Sequence, residues 1–523
     1  MNTKLSLLFL ALLSVAQPAL ADWSTDPAKN NQVTATGVPF YDEQLLTTTD
    51  GYTYCYFIVP NENLHYRLQI MDPSGNRVLR TAGLTVSKEA STTWTKVNYP
   101  TTLDQEGNLV MAVQDMRTRV DSLDQHFLYT LYKVSRQGDI LWSRSLNDSV
   151  ASFDGAHLTL TSAPDNSIYA AFGESGVNYA SRWLHIERFA ADGMSLWSQP
   201  LLFKAAGGDH YSYPTVKALT EGGILVGFLD ETTGLYQAMR FEADGSQAWE
   251  APRTVYDGSY GSDRVWDAME MRQLNDSTFV FVTLNADKTS VMVCFDADGQ
   301  VLCQYGSYRA LSNVTDYGIS YDDFWYDPVD DVLNFSYRQI EVDYSSHHGI
   351  YLQQMSTEGD WYFEDEGHPL IEMQESDQYA YSCVRGTDQA GEMAVFFIKK
   401  ETLSYVAPAQ CYMAKVNYDA EVTMEPVAFT ASDASKSDLE VSDLIDGQYY
   451  LASWLEKRGT ASTSSVYMQR VYVNGDIELA IHELHPESAS PTGAVTRLDL
   501  LGRPASTSAH GLFVQDGQVI SIH

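Results

Sequence analysis

One phrase recurs eight times along this chain and fixes most of what it can become. An alternating apolar strand runs into an acidic or polar turn, almost always with Gly, and a second short strand follows with a large apolar residue four positions after the Gly. The turns close at Gly75, Gly138, Gly193, Gly245, Gly299, Gly359, Ala420 and Gly475, so their spacings are 63, 55, 52, 54, 60, 61 and 55 residues. The residues four positions on are Leu79, Trp142, Trp197, Trp249, Cys303, Phe363, Met424 and Leu479. A Gly before a reversal supplies the positive φ of a tight hairpin, and the large residue after it can cover the flank of the unit. Unit seven has Ala420 where Gly is expected, which predicts a different turn there.

Each unit carries an earlier hairpin of the same grammar. In the fourth, 214–219 reads as a strand, Thr220-Glu221-Gly222-Gly223 as a turn, and 224–229 and 235–241 as further strands. Second strands are expected at 108–114, 167–172, 278–284, 331–337, 392–398 and 448–454. Four short strands per unit, a period of 50 to 60 residues and no amphipathic helix point to an all-β fold, a β-propeller. Eight four-stranded blades is the expected count, with seven as the alternative if the first unit is irregular or helps to close the ring. The expected order is 1–21 signal peptide, 22–37 N-terminal segment, 38–483 propeller, 484–495 linker and 496–523 C-terminal β segment.

The N-terminus has the grammar of an export signal: Lys4, an apolar stretch from Leu5 to Val15, and Ala19-Leu20-Ala21, which places cleavage after Ala21. No other stretch approaches the roughly 20 apolar residues of a membrane helix, so no membrane insertion is expected. With 33 Lys+Arg against 69 Asp+Glu, the net charge of −36 repels phosphate backbones and anionic headgroups, which argues against nucleic-acid partners. Five cysteines are too few for a disulfide scaffold, and the main reading is five buried thiols. The pairs Cys294–Cys303 and Cys383–Cys411 are each close enough along the chain to bridge.

Tyr213-Pro214, then Gly222-Gly223-Ile224-Leu225-Val226, Asp230, Tyr236-Gln237, Ala243-Asp244-Gly245 and Trp249 together resemble the repeats of large exported propeller proteins of Bacteroidetes-type bacteria. The Gly-x-x-x-Trp element is similar to that of quinoprotein-like propellers, where it is a packing motif. After the linker, Asp499-Leu500-Leu501-Gly502-Arg503, then Gly511-Leu512-Phe513-Val514 and a turn at Gly517 resemble a C-terminal type A sorting signal of the type IX secretion system. That resemblance implies passage through the periplasm and release or display at the cell surface, with the type IX machinery as a partner.

No serine-hydrolase elbow, zincin helix, phosphate loop or dinucleotide fingerprint is present. His482-Glu483-Leu484-His485 lacks the spacing of a zinc helix, and Asp296-Ala297-Asp298-Gly299 lacks the later ligands of an EF-hand. No metal site is expected. No cofactor is expected either, calcium being the one candidate; the quinoprotein resemblance would imply pyrroloquinoline quinone beside it. Carboxylates such as Asp322, Asp323, Asp327, Asp330 and Asp331 are read mostly as solvated turn residues.

The informative excess is aromatic, with 33 Tyr, 20 Phe and 10 Trp. Tyr offers a flat apolar face and a hydroxyl, which suits sugars and peptides, or else it packs between blades. The expected ligand face is that of the inter-blade connections, with Tyr211, Tyr213, His210, Tyr260, Arg264, Trp266, Tyr308, Arg309 and His348 as candidate contacts. Arg there can capture a carboxylate or neutralise neighbouring acids. The sequence thus reads as an exported propeller that binds a glycan, peptide or protein ligand without catalysis. The alternative is a polysaccharide-active hydrolase or lyase with its site at the channel mouth.

Overall fold

The computed structural model describes residues 23–34, 41–59, 65–87, 101–115, 128–146, 158–175, 182–203, 211–230, 232–257, 270–284, 289–341, 348–373, 378–400, 407–459, 461 and 463–478, with short strands beyond 496. All regular structure among them is β. Eight four-stranded antiparallel sheets form an eight-bladed propeller. A ninth small sheet belongs to a separate C-terminal unit from Glu478 to His523, ordered 504–505, 497–499, 511–515, 518–522.

The innermost strands are Tyr41–Thr47, Thr101–Leu103, Thr159–Ser162, Tyr211–Ala218, Glu270–Gln273, Tyr317–Asp327, Gln378–Gly386 and Ser435–Val441, for blades 1 to 8 in order. Second strands are nearly continuous apolar runs, such as Ile224–Asp230 and Thr278–Leu284, because they face a neighbouring blade on both sides. The core therefore lies between blades: one buried cluster joins Leu184 and Ile186 of blade 3, Phe228 and Tyr236 of blade 4, and Phe281 and Val293 of blade 5.

Blade 8 takes its outer strand from the other end of the chain. Asn31–Gln32 pairs antiparallel with Ser465–Tyr472, so the segment expected to stand apart at 22–37 closes the ring. Arg458 fastens it by donating to the carbonyls of Ala28 and Lys29 and to Asn30 Oδ1, at 3.0, 2.6 and 3.0 Å. Behind Arg458 lie Glu456 and Lys436, both with fully buried side chains. Burial pushes the Lys436 ammonium below its usual pKa despite the Glu456 carboxylate nearby.

The recurring Gly and the residue four positions after it do one job at the junctions from blade 1 through blade 8. The large residue lies over the turn Gly of the next blade: a Cβ on Gly193 would lie 2.7 Å from Trp142, and one on Gly138 would lie 2.3 Å from Leu79. The indole N–H of Trp142 donates to the Ala191 carbonyl, and that of Trp197 to Ala243, both at 3.0 Å. Sequence logic expects Leu479 to complete the belt, but it lies outside the described residues. Trp23 lies over blade 1 instead, its indole donating to Pro73 at 2.8 Å and its ring 2.9 Å from a Cβ on Gly75.

Three expectations need correction. Ala420 keeps the common turn by adopting φ 61°, with its amide bonded to Asn417 O at 3.1 Å. All five cysteines are free thiols as the main reading has it, but Cys303 is half-buried and not buried like the other four. Asp322 and Asp323 stand on the inner strand of blade 6, not in a turn.

Candidate functional site in the channel

Each inner strand begins at the inter-blade connection and ends at the turn into its second strand. The ends of five of them enclose a cavity of about 300 Å³, lined by Leu45 to Thr47, Arg272, Phe324, Trp325, Arg385, and Glu440 to Asp443. These residues come from blades 1, 5, 6, 7 and 8. The cavity therefore opens toward the face opposite the one expected from the Tyr-rich connections.

Bulges explain why charged side chains gather here. The pairing of blade 6 skips Asp322, since Tyr321 opposes Tyr337 and Asp323 opposes Ser336. Similar shifts occur between Ala380 and Ser382 in blade 7 and between Ser437 and Glu440 in blade 8. An extra residue in one strand re-aims its neighbours. Two consecutive carboxylates can then both find partners beside the channel.

Asp322 accepts from Arg338 Nε at 2.8 Å and from the Ser382 hydroxyl at 2.7 Å. Asp323 pairs with the Arg385 guanidinium, accepts from the Val384 amide at 3.2 Å, and lies 3.7 Å from Arg272. Arg385 also donates to the Val441 carbonyl at 3.0 Å and stands 3.7 Å from Asp443. Burial is the largest influence and opposes its charge, but Asp323, Cys383 and Asp443 together outweigh it and its pKa is raised. Arg272 lies over the Phe324 ring at 4.3 Å and donates to the Phe324 carbonyl at 3.1 Å.

Glu440 is the titratable group in this wall. Its side chain is exposed at the cavity, and the protein atoms crowding its carboxyl push it up to about 7, with Asp438 and Asp323 adding to the shift. The Leu45 amide and Arg385 pull the other way. The cavity thus combines two held guanidinium groups, one carboxyl balanced near neutrality, and the exposed Asp443.

The residues singled out from sequence scatter. Tyr211 is buried in the blade 4 core, 5.4 Å from Phe203 and 4.3 Å from Phe228 between ring centroids. Tyr308 packs on that core beside Tyr256, and Arg309 lies 3.5 Å over the Trp361 ring. His348 opens the third strand of blade 6, half-buried. His210, Tyr260, Arg264 and Trp266 lie outside the described residues, as does the side chain of Tyr213. The channel residues Arg272, Arg385 and Glu440 were not singled out; the one signal was Asp322-Asp323, a charged pair interrupting an aromatic strand.

Among the described residues, no three His, Cys, Asp or Glu side chains are grouped to hold an ion. The Asp296 carboxylate is used within its own turn, accepting from the amides of Asp298 and Gln300 at 2.9 and 2.8 Å.

No family model matches this chain, and no curated protein matches it. Among solved structures it is similar to a polysaccharide lyase, an ulvan lyase, at 10% identity and TM-score 0.44 over 86% of this chain and 96% of that one. It is also similar to a eukaryotic initiation factor at 9% identity and TM-score 0.44, covering 94% and 91% of the two chains. A puromycin hydrolase aligns at 10% identity and TM-score 0.43 over 84% of this chain and 62% of its own. At this level the likenesses say nothing about chemistry.

Proposed function

We propose that this chain is an exported, cell-surface or secreted β-propeller that binds a glycan, peptide or protein ligand and does not turn it over. The observation that carries the reading is the channel cavity, where five blades place hydrogen-bonded charges of both signs around about 300 Å³. Preformed polar groups in a concave site are the usual mark of ligand recognition. Export rests on Lys4, the apolar stretch from Leu5 and the cleavage pattern ending at Ala21, and type IX sorting on Asp499, Gly502, Arg503, Gly511 and Gly517.

Thermal-shift screening of the mature chain against peptides and neutral and acidic oligosaccharides tests it. A ligand at 100 times its dissociation constant adds about 2.7 kcal/mol if it binds only the folded state. The expected result is a shift with one class that disappears in Arg272→Met. No shift with any class would overturn the reading.

A second reading, a polysaccharide hydrolase or lyase, draws support from Glu440, because a carboxyl titrating near neutral pH inside a channel suits general acid–base work. Release of new reducing ends, lost in Glu440→Gln, would favour it over pure binding.

A further inference from the structure

A second cavity, unrelated to the channel, lies where the connection from blade 5 meets the flank of blade 6. It measures about 510 Å³ and is lined by Asn313 to Tyr317, Gln339, Tyr351, Glu366, Pro369 and Glu372, among others. The connection is tied down: the Asn313 amide donates to the Asp365 carbonyl at 3.0 Å. The Glu366 carbonyl accepts three side-chain bonds, from Ser312, Tyr337 and Gln339, each at 3.1 Å.

The back wall is built around a missing side chain. A Cβ on Gly349 would lie 2.6 Å from the Tyr351 ring and 2.8 Å from the Ile371 carbonyl, so only Gly lets that ring lie there. Tyr351 is held from behind by Tyr337, with centroids 6.1 Å apart and planes 24° from parallel. Tyr317 stands at the mouth, 39% exposed. Burial raises the Tyr351 phenol pKa, and Glu372, Tyr317 and Glu366 lie close enough to add to the shift.

The chemistry of the lining is one-sided. Among the described residues its charged side chains, Asp316, Glu366 and Glu372, are all acidic, and no Lys, Arg or His lines the cavity. A uronate or sulfate would enter against like charge. A neutral pyranose would not: its apolar face suits a phenol ring, and its hydroxyls donate well to carboxylates. We propose that this cavity binds a neutral sugar unit of a glycan, with Tyr317 and Tyr351 as platforms and Asn313, Asp316 and Glu372 as hydrogen-bonding partners.

Calorimetry on the mature chain with cellohexaose, mannohexaose, galactohexaose, hexagalacturonate and N-acetyl-lysine amide tests this. Expected is binding of one neutral hexaose, weakened about tenfold in Tyr317→Leu and in Glu372→Gln, and unchanged in the rim variant Trp249→Phe. Tyr317 is exposed, so its replacement leaves folding intact, as an unaltered melting temperature would verify. Preference for hexagalacturonate, binding of the lysine amide alone, indifference to Tyr317→Leu, or silence of all three neutral sugars would each overturn the assignment.

Discussion

The rim of this propeller repeats itself and its channel wall does not. At the rim, a bulky residue lies over the next blade's turn, and a cation five positions before that turn's closing residue pairs with a carboxylate at the blade's other hairpin. Lys133 with Asp104, Arg188 with Asp165, Arg240 with Glu221, and Lys415 with Glu392 all follow this rule, at 2.6, 2.6, 3.0 and 3.1 Å. Four of the scarce cations are therefore structural. At the channel the inner strands differ from blade to blade: Arg385 and Glu440 follow bulges in their strands, whereas Arg272 sits on a regularly paired strand and has Lys217 as its counterpart in blade 4. Repetition marks the scaffold, and the channel wall varies in register and in the sign of its charges.

The sharpest way to break this comparison is at the channel. Arg385→Met strands the largely buried Asp323 carboxylate, which should cost about 3 kcal/mol in urea unfolding. A loss below about 1 kcal/mol would mean that Arg272 alone suffices for Asp323. At the rim, Gly193→Ala meets both positive φ and the Trp142 ring, and should cost about 2 to 3 kcal/mol by the same measurement.

Two indoles then sharpen the rule. Trp197→Phe loses a hydrogen bond and should cost about 1 kcal/mol, whereas the buried Trp249 N–H has no acceptor among the described residues, so Trp249→Phe should be neutral or stabilising. Equal losses from the two would show that ring packing alone holds the junctions. Ala420→Gly relieves a left-handed Ala and should raise stability by up to about 1 kcal/mol, set against the greater freedom of an unfolded Gly. A decrease would show that the Ala420 methyl, which packs against the buried cluster containing Phe363 and Val416, matters more than its strain.

The smallest effect concerns pH, because the Glu440 side chain is exposed and solvent screens its charge. Glu440 holds its proton more tightly folded than unfolded, so its contribution is full below the unfolded value of 4.5 and is lost as pH rises through about 7. Unfolding free energies of wild type and Glu440→Gln should therefore diverge across that window, wild type falling relative to the variant. Parallel curves would mean that the carboxyl is hydrated as in free solution.

The scaffold was legible because its signal is periodic: Gly at a hairpin and a large residue four positions later are needed at each junction. The second strands expected at 278–284 and 392–398 are found at Thr278–Leu284 and Glu392–Lys400. Closure was not legible, because Trp23 has no Gly before it and lies outside the repeating frame. Nor was the channel, because bulges at Asp322 and at Asp438-Leu439 break the alternation by which facing residues are read.

The closing strand sets a clock on folding. Asn30 bonds Gln469 across 439 positions, so the ring cannot shut until nearly the whole propeller sequence exists. Contacts this distant form late and slowly. Until the N-terminal strand docks, Ser465–Tyr472 is a bare edge able to pair with any passing strand, including the same strand of a second copy. Residues 23–34 thus serve as a guard against misassembly, and losing them would first show as a slow drift into aggregates during refolding, before any ligand is tested.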